Sequence, residues 1–150
     1  MSNPKRVKVP SRIRVRVDAA GITAINDRGD EIRYAMPPSS PGFNPLELLS
    51  ASLGICTAIN LRKELSALAG GTNALSFDLA VECVKALDPP SRVERLDLIV
   101  RLPEHVKGAA AAEVIQRAEA ACTIANTLLG CTEIKTRSDD PVRDERSAFR

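Results

Sequence analysis

Two cysteines stand where sulfur chemistry could be carried out. Cys56 lies deep in a helical stretch that is apolar on nearly every side, and Cys122 lies on the apolar stripe of a second helical stretch, 66 positions later (122 minus 56). A thiol in such a setting is either a small packing residue or one half of a couple that cycles between dithiol and disulfide. The chemistry needs a thiolate. Apolar burial raises a thiol's pKa, and Cys56 is too far from its helix start to gain from the macrodipole, so a cation must stand near it. The other two cysteines read differently. Cys83 alternates with the apolar face of a strand and reads as core, while Cys131 follows Gly130 and matches no pattern. There is no C-x-x-C spacing, and His105 is the sole histidine, so no metal site is expected and His105 reads as solvated.

The elements that must position the thiols follow from periodicity. Ile13, Val15 and Val17 alternate with Arg12, Arg14 and Arg16, the period of a strand with one covered face. Strands at 21–25 and 31–35 flank Asp27-Arg28-Gly29-Asp30, a hairpin turn by composition. After the Pro/Ser/Gly loop at 36–42, a helix starts at Asn44-Pro45-Leu46-Glu47: Asn44 caps, Pro45 suits the first helical position, and Glu47 completes a capping box. It runs to about Leu68, ahead of Gly70-Gly71. From Leu46 to Leu61 it leaves no polar face of useful width and is expected to be buried on all sides. Two amphipathic strands follow, one with Phe77, Leu79, Val81 and Cys83 and one with Leu96, Leu98, Val100 and Leu102, joined through Asp88-Pro89-Pro90. A second helix after Pro103 carries Val114, Ala118, Ala121, Cys122, Ala125, Leu128 and Leu129 and closes at Gly130. A last short strand is expected at 132–137. The order β-β-β-α-β-β-α-β is an α+β arrangement, two long helices against antiparallel sheet. Apolar surface left over on the first helix predicts a partner subunit, most simply in a two-fold dimer.

Composition is that of an ordinary globular chain. The 150 residues suit one domain, with 44% hydrophobic and 27% charged residues and no apolar run long enough to span a bilayer, so no membrane association is expected. The start lacks a signal-peptide pattern, which predicts a cytoplasmic protein whose four cysteines form no structural disulfide framework. Residues 1–11 form a basic arm with Lys5, Arg6 and Lys8, and these together with Arg12, Arg14 and Arg16 all precede Asp18. Aromatic content of 3% leaves almost nothing for bases to stack on, so a solvated strand face is the preferred reading over nucleic-acid binding. Residues 138–150 read as a charged, weakly ordered tail.

The run from Asn44-Pro45-Leu46-Glu47-Leu48-Leu49 along the helix to Gly54-Ile55-Cys56, together with Ala118-Glu119-Ala120-Ala121-Cys122-Thr123-Ile124-Ala125-Asn126, resembles the OsmC/Ohr family of thiol-dependent hydroperoxide reductases. The resemblance covers about residues 12–137. It implies an OsmC-like fold, an intertwined homodimer with the cysteine-bearing helix buried between sheets, and a site at the subunit interface. Cys56 would be the peroxidatic thiol and Cys122 the resolving one, with an organic hydroperoxide as substrate, an external dithiol as reductant and no cofactor. The family also implies an arginine from the first strands, held by a glutamate near the start of the cysteine helix. The chain departs from this pattern: the glutamate position ten before the cysteine is Leu46, with Glu47 nine before it, and 18–21 holds no arginine. Arg16, Arg28 and Arg33 are the possible substitutes, and the usual proline after the second cysteine is Thr123. Two alternatives stand beside the peroxidase: a catalytically weak or inactive OsmC-like protein that binds a small apolar or thiol-bearing ligand at the dimer interface, and nucleic-acid binding by the basic arm.

Overall fold

The computed structural model describes residues 10–19, 21–34, 40–68, 76–130 and 132–136. Lys5, Arg6, Lys8, Cys131 and the tail at 138–150 lie outside the described residues. The first three strands, β1 (Ile13–Asp18), β2 (Gly21–Asn26) and β3 (Glu31–Arg33), form an antiparallel sheet in the order β1-β2-β3. In the turn between β2 and β3 the Asn26 side-chain oxygen accepts from the N–H groups of Arg28 and Asp30, and Gly29 takes the positive φ of 88° that a side chain would resist. Pairing Arg16 with Thr23, and Thr23 with Arg33, sets these three on one face. Since side chains alternate, Ile13, Val15, Val17, Ile22 and Ile32 share the other face.

Helix α1 (Pro45–Leu68) follows, and the capping box forms as expected. The Glu47 N–H donates to the Asn44 side-chain oxygen at 2.9 Å, and the Asn44 N–H donates to the Glu47 carboxylate at 2.7 Å. Strands β4 (Asp78–Lys85) and β5 (Val93–Arg101) form a separate antiparallel pair, which turns Leu79, Val81, Cys83, Leu96, Leu98 and Val100 to one face. That face meets α1 at Gly54, where a Cβ would stand 3.1 Å from Val81 Cγ2 and 3.3 Å from Leu79 Cδ2. Helices α2 (Gly108–Ala120) and α3 (Thr123–Leu129) complete the described elements. The core is built where α1 crosses α2: Leu61, Leu65, Val114 and Ala118 are buried together, with Phe77, Leu79 and Val100 of the sheet packed against them.

Three features differ from expectation. The second helix is not continuous to Gly130: it breaks at Cys122, whose ψ of 107° is extended, and restarts as α3. Residues 132–136 form no strand. A ladder needs a partner edge, and here the Thr132 hydroxyl donates to the Thr127 carbonyl at 3.4 Å, against the end of α3. Lastly, α1 is not buried on all sides within one chain. Leu53, Gly54, Thr57, Leu61 and Leu65 make its buried stripe, while Ile55 and Ile59 are 62% and 65% exposed, because among the described residues the second sheet and α2–α3 cover one side of a helix apolar all round.

Candidate functional site

The break at Cys122 brings the two halves of the site together. Cys122 N–H donates to the Glu119 carbonyl at 3.0 Å, its own carbonyl accepts from Asn126 N–H at 3.0 Å, and Asn126 Nδ2 reaches back to the Ala120 carbonyl at 3.0 Å. These bonds hold the thiol at the corner between α2 and α3, against the middle of α1. Cys122 is fully buried at 0% exposure, and its neighbour Thr57 is 2% exposed. The Thr57 hydroxyl donates to Cys122 Sγ at 3.6 Å, and the Ala125 N–H donates to the same sulfur at 3.4 Å.

Cys56 directly precedes Thr57 on α1 and is half-buried. Its thiol lies near enough to Cys122 to act on that thiol's ionisation, so the structure brings together the two cysteines singled out in the sequence. Burial pushes the Cys122 thiol up, but hydrogen bonds from Ala125 N–H, the Thr57 hydroxyl, the Cys56 thiol and Ile124 N–H outweigh it and hold the thiol below its ordinary value. All three described cysteines, Cys56, Cys83 and Cys122, are free thiols. The arrangement places two thiols near each other, one of them surrounded by donors that favour its anion.

The charged candidates do not join this pair within one chain. Glu47 is engaged in the capping box at the start of α1. Nine residues at about 100° each place it about half a turn away from Cys56 around the helix. Arg28 pairs with Asp30 in the hairpin turn at 3.0 Å, where Asn26 and then Arg28 hold the Asp30 carboxyl below its usual range. Arg16 and Arg33 line a polar cleft of the first sheet together with Thr23 and Glu31. Cys83 faces α1's side of the second sheet opposite Leu96, in the packing position its alternation suggested, and His105 is exposed in the turn before α2.

Sequence reasoning passed over Thr57. The signal was a hydroxyl immediately after Cys56 in a stretch otherwise apolar on the same side, where a buried donor needs an acceptor. Beside it opens a cavity of about 600 Å³ between α1, β5 and the α2–α3 corner, with Leu53, Leu96 and Leu98 among its apolar walls and Glu94, Arg95 and Glu119 among its charged ones. A shallower apolar groove of about 480 Å³ runs along the other side of α1, past Ile55 and Phe77. No helix among the described residues is long and apolar enough to cross a membrane.

The sequence profile described as OsmC-like protein matches residues 37–137. No functionally curated protein matches the chain in sequence. Among solved structures, an OsmC-like protein from Mycoplasma pneumoniae superposes with a TM-score of 0.65 at 20% identity, over 83% of this chain and 90% of that one. The organic hydroperoxide resistance protein OhrB of Bacillus subtilis gives 0.59 at 18% identity, over 81% of this chain and 92% of that one. An organic hydroperoxide resistance protein OsmC from Legionella pneumophila gives 0.63 at 14%, over 83% and 93%. At these identities the likeness is one of fold.

Proposed function

The chain belongs to the OsmC-like protein family, and from that premise we propose that it is a homodimeric thiol peroxidase that reduces organic hydroperoxides through Cys56 and Cys122. The observation that carries this reading is the pair of free thiols brought near each other from α1 and the α2–α3 corner. The hydroperoxide-resistance proteins from Bacillus subtilis and Legionella pneumophila share the fold and support the choice of substrate class.

In the proposed cycle the Cys56 thiolate attacks the outer oxygen of the hydroperoxide. The O–O bond breaks, an alcohol leaves after protonation, and Cys56 becomes a sulfenic acid. Cys122 then attacks that sulfur and expels water, leaving a disulfide, which an external dithiol reduces. Cys56 is the peroxidatic thiol in this scheme because it is the less buried of the two residues. Its thiolate needs a cation, and the homodimer is the proposed source. Ile13, Val15 and Val17 are 61–72% exposed on one face of the first sheet, which a second copy would cover. With Arg28 tied to Asp30, Arg16 and Arg33 are the arginines that a partner's sheet would offer; Glu47 keeps its cap.

The test is thiol titration of the reduced protein after one equivalent of an alkyl hydroperoxide. Loss of two thiols per chain, at Cys56 and Cys122, is expected. An unchanged thiol count in the intact protein would reject the peroxidase. It would favour instead a ligand-binding member of the fold, for which the cavity beside Thr57 is the specific support.

A further inference from the structure

The two sulfurs are unequal in a way the peroxide step does not use. Cys122 is sealed at 0% exposure between Thr57 on α1 and the start of α3, while Cys56 is only partly buried. Thr57, itself buried, spends its hydroxyl proton on Cys122 Sγ and not on a helix carbonyl, the usual outlet for a threonine inside a helix. A second donor, Ala125 N–H, points at the same sulfur. We propose that Thr57 is a positioning residue for the reductive half of the cycle: it makes Cys122 the leaving sulfur, so that the reductant attacks the disulfide at Cys56. This inference rests on the reading of Cys56 and Cys122 as a redox pair.

In the step, one thiolate of a small dithiol attacks Cys56 Sγ, the sulfur it can reach. A new S–S bond forms between reductant and Cys56, the Cys56–Cys122 bond breaks, and its electron pair leaves on Cys122 Sγ. That thiolate is born facing the Thr57 O–H and the Ala125 N–H, and a stabilised leaving thiolate departs faster. The second thiol of the reductant, as its thiolate, then attacks the reductant's own sulfur in the mixed disulfide. Cys56 is released, and the reductant closes to a cyclic disulfide, oxidised by two electrons while the cysteine pair is reduced by two. The ionisable surroundings of Cys122 are few. The Cys56 thiol faces it from α1; Glu119 of α2 and Glu94 and Arg95 of β5 line the adjoining cavity; Arg117 of α2 is held by Glu113 and Glu64.

The experiment begins with full-length protein oxidised by diamide, which needs no peroxidase activity. If peptide mapping finds no Cys56–Cys122 disulfide, the redox pair fails and this proposal fails with it. Once the disulfide is made, a limiting monothiol such as glutathione is added, the mixture is quenched with iodoacetamide, and the adduct is mapped by mass spectrometry. The expected result is glutathione on Cys56 and alkylation on Cys122, in about tenfold excess over the reverse. An equal distribution, or an excess on Cys122, would overturn the proposal and leave the redox pair standing. The role of Thr57 is read in a Cys56→Ser background by following thiolate absorbance against pH. Thr57→Val should raise the Cys122 pKa by about one unit, and in the Cys56-containing protein it should slow disulfide reduction by dithiothreitol about threefold to tenfold. Thr57→Ser should restore both. A Cys122 titration that Thr57→Val leaves in place, or that Thr57→Ser fails to restore, would show a packing role only and overturn the assignment.

Discussion

The first sheet and the α1–α2 body are built from the same kind of pattern and end in opposite states. Strand β5 alternates Leu96, Leu98 and Val100 with Arg95, Asp97 and Arg101, and its apolar side lies in or against the core. Strand β1 alternates Ile13, Val15 and Val17 with Arg14 and Arg16 in the same manner, yet every one of its residues is exposed. Alternation therefore tells which side of a strand is to be covered and says nothing about which chain covers it. The body closes its core with its own residues; the sheet presents a complete apolar face and leaves it open. The half of α1 that carries Ile55 and Ile59 belongs with the sheet in this respect, although it is part of the body's main helix.

The largest way to break this contrast is within the body. Leu61→Ala removes a fully buried side chain that touches Leu65, Val114 and Ala118, and unfolding by denaturant should show a loss of about 2–5 kcal/mol. A loss under about 1 kcal/mol would mean that the body is not the independently stabilised part. Val15→Asp sharpens the comparison from the other side. A carboxylate on the apolar face should shift the protein to monomer in sedimentation equilibrium, weakening association by about 2–3 kcal/mol, while helical circular dichroism persists. An unchanged dimer would place the interface elsewhere. The smallest effect is expected at the seam between the two regions, where the Phe43 N–H bonds to the Arg33 carbonyl just ahead of the cap. Glu47→Ala should lower stability by about 0.5–1 kcal/mol, with the peroxide rate per folded dimer unchanged. A drop in that rate of about tenfold or more would return Glu47 to the chemistry.

The start of α1 was legible because its information is local: Asn44, Pro45 and Glu47 each satisfy a backbone requirement within one turn, and the bonds they predict are present. The two neighbouring thiols were legible through the resemblance carried by their helices. The corner at Cys122 was not. Ala118 to Ala125 contains no glycine or proline, and every residue there tolerates a helix, so propensity favours continuity. The break is held by local bonds that propensity does not reveal, such as Asn126 Nδ2 to the Ala120 carbonyl, and by one distant contact, the Thr57 hydroxyl that meets the sulfur 65 residues away in sequence. Thr57 was hidden for the same reason, since a hydroxyl's acceptor cannot be read from the helix that carries it. The residues on β1 and β3 were assigned to the correct elements, but the partner that would bring Arg16 or Arg33 to a thiol is not encoded in any local pattern.

Gly54 sets the tempo of the site. Lying two residues before Cys56, it lets the α1 backbone rest against Val81 and Leu79 with no compressible side chain between them. A helix seated in this way has little freedom to slide or roll, and collective helix shifts belong to the microsecond-to-millisecond range in any case. Cys56 is only partly buried and lies near Cys122, so in the proposed cycle the approach of the two sulfurs asks for side-chain rotation, a picosecond-to-nanosecond event for exposed groups. The seat at Gly54 thus separates two clocks: the backbone keeps still while the side chains move, so under the proposed cycle closure of a Cys56–Cys122 disulfide would be set by chemistry at sulfur instead of by the breathing of the fold.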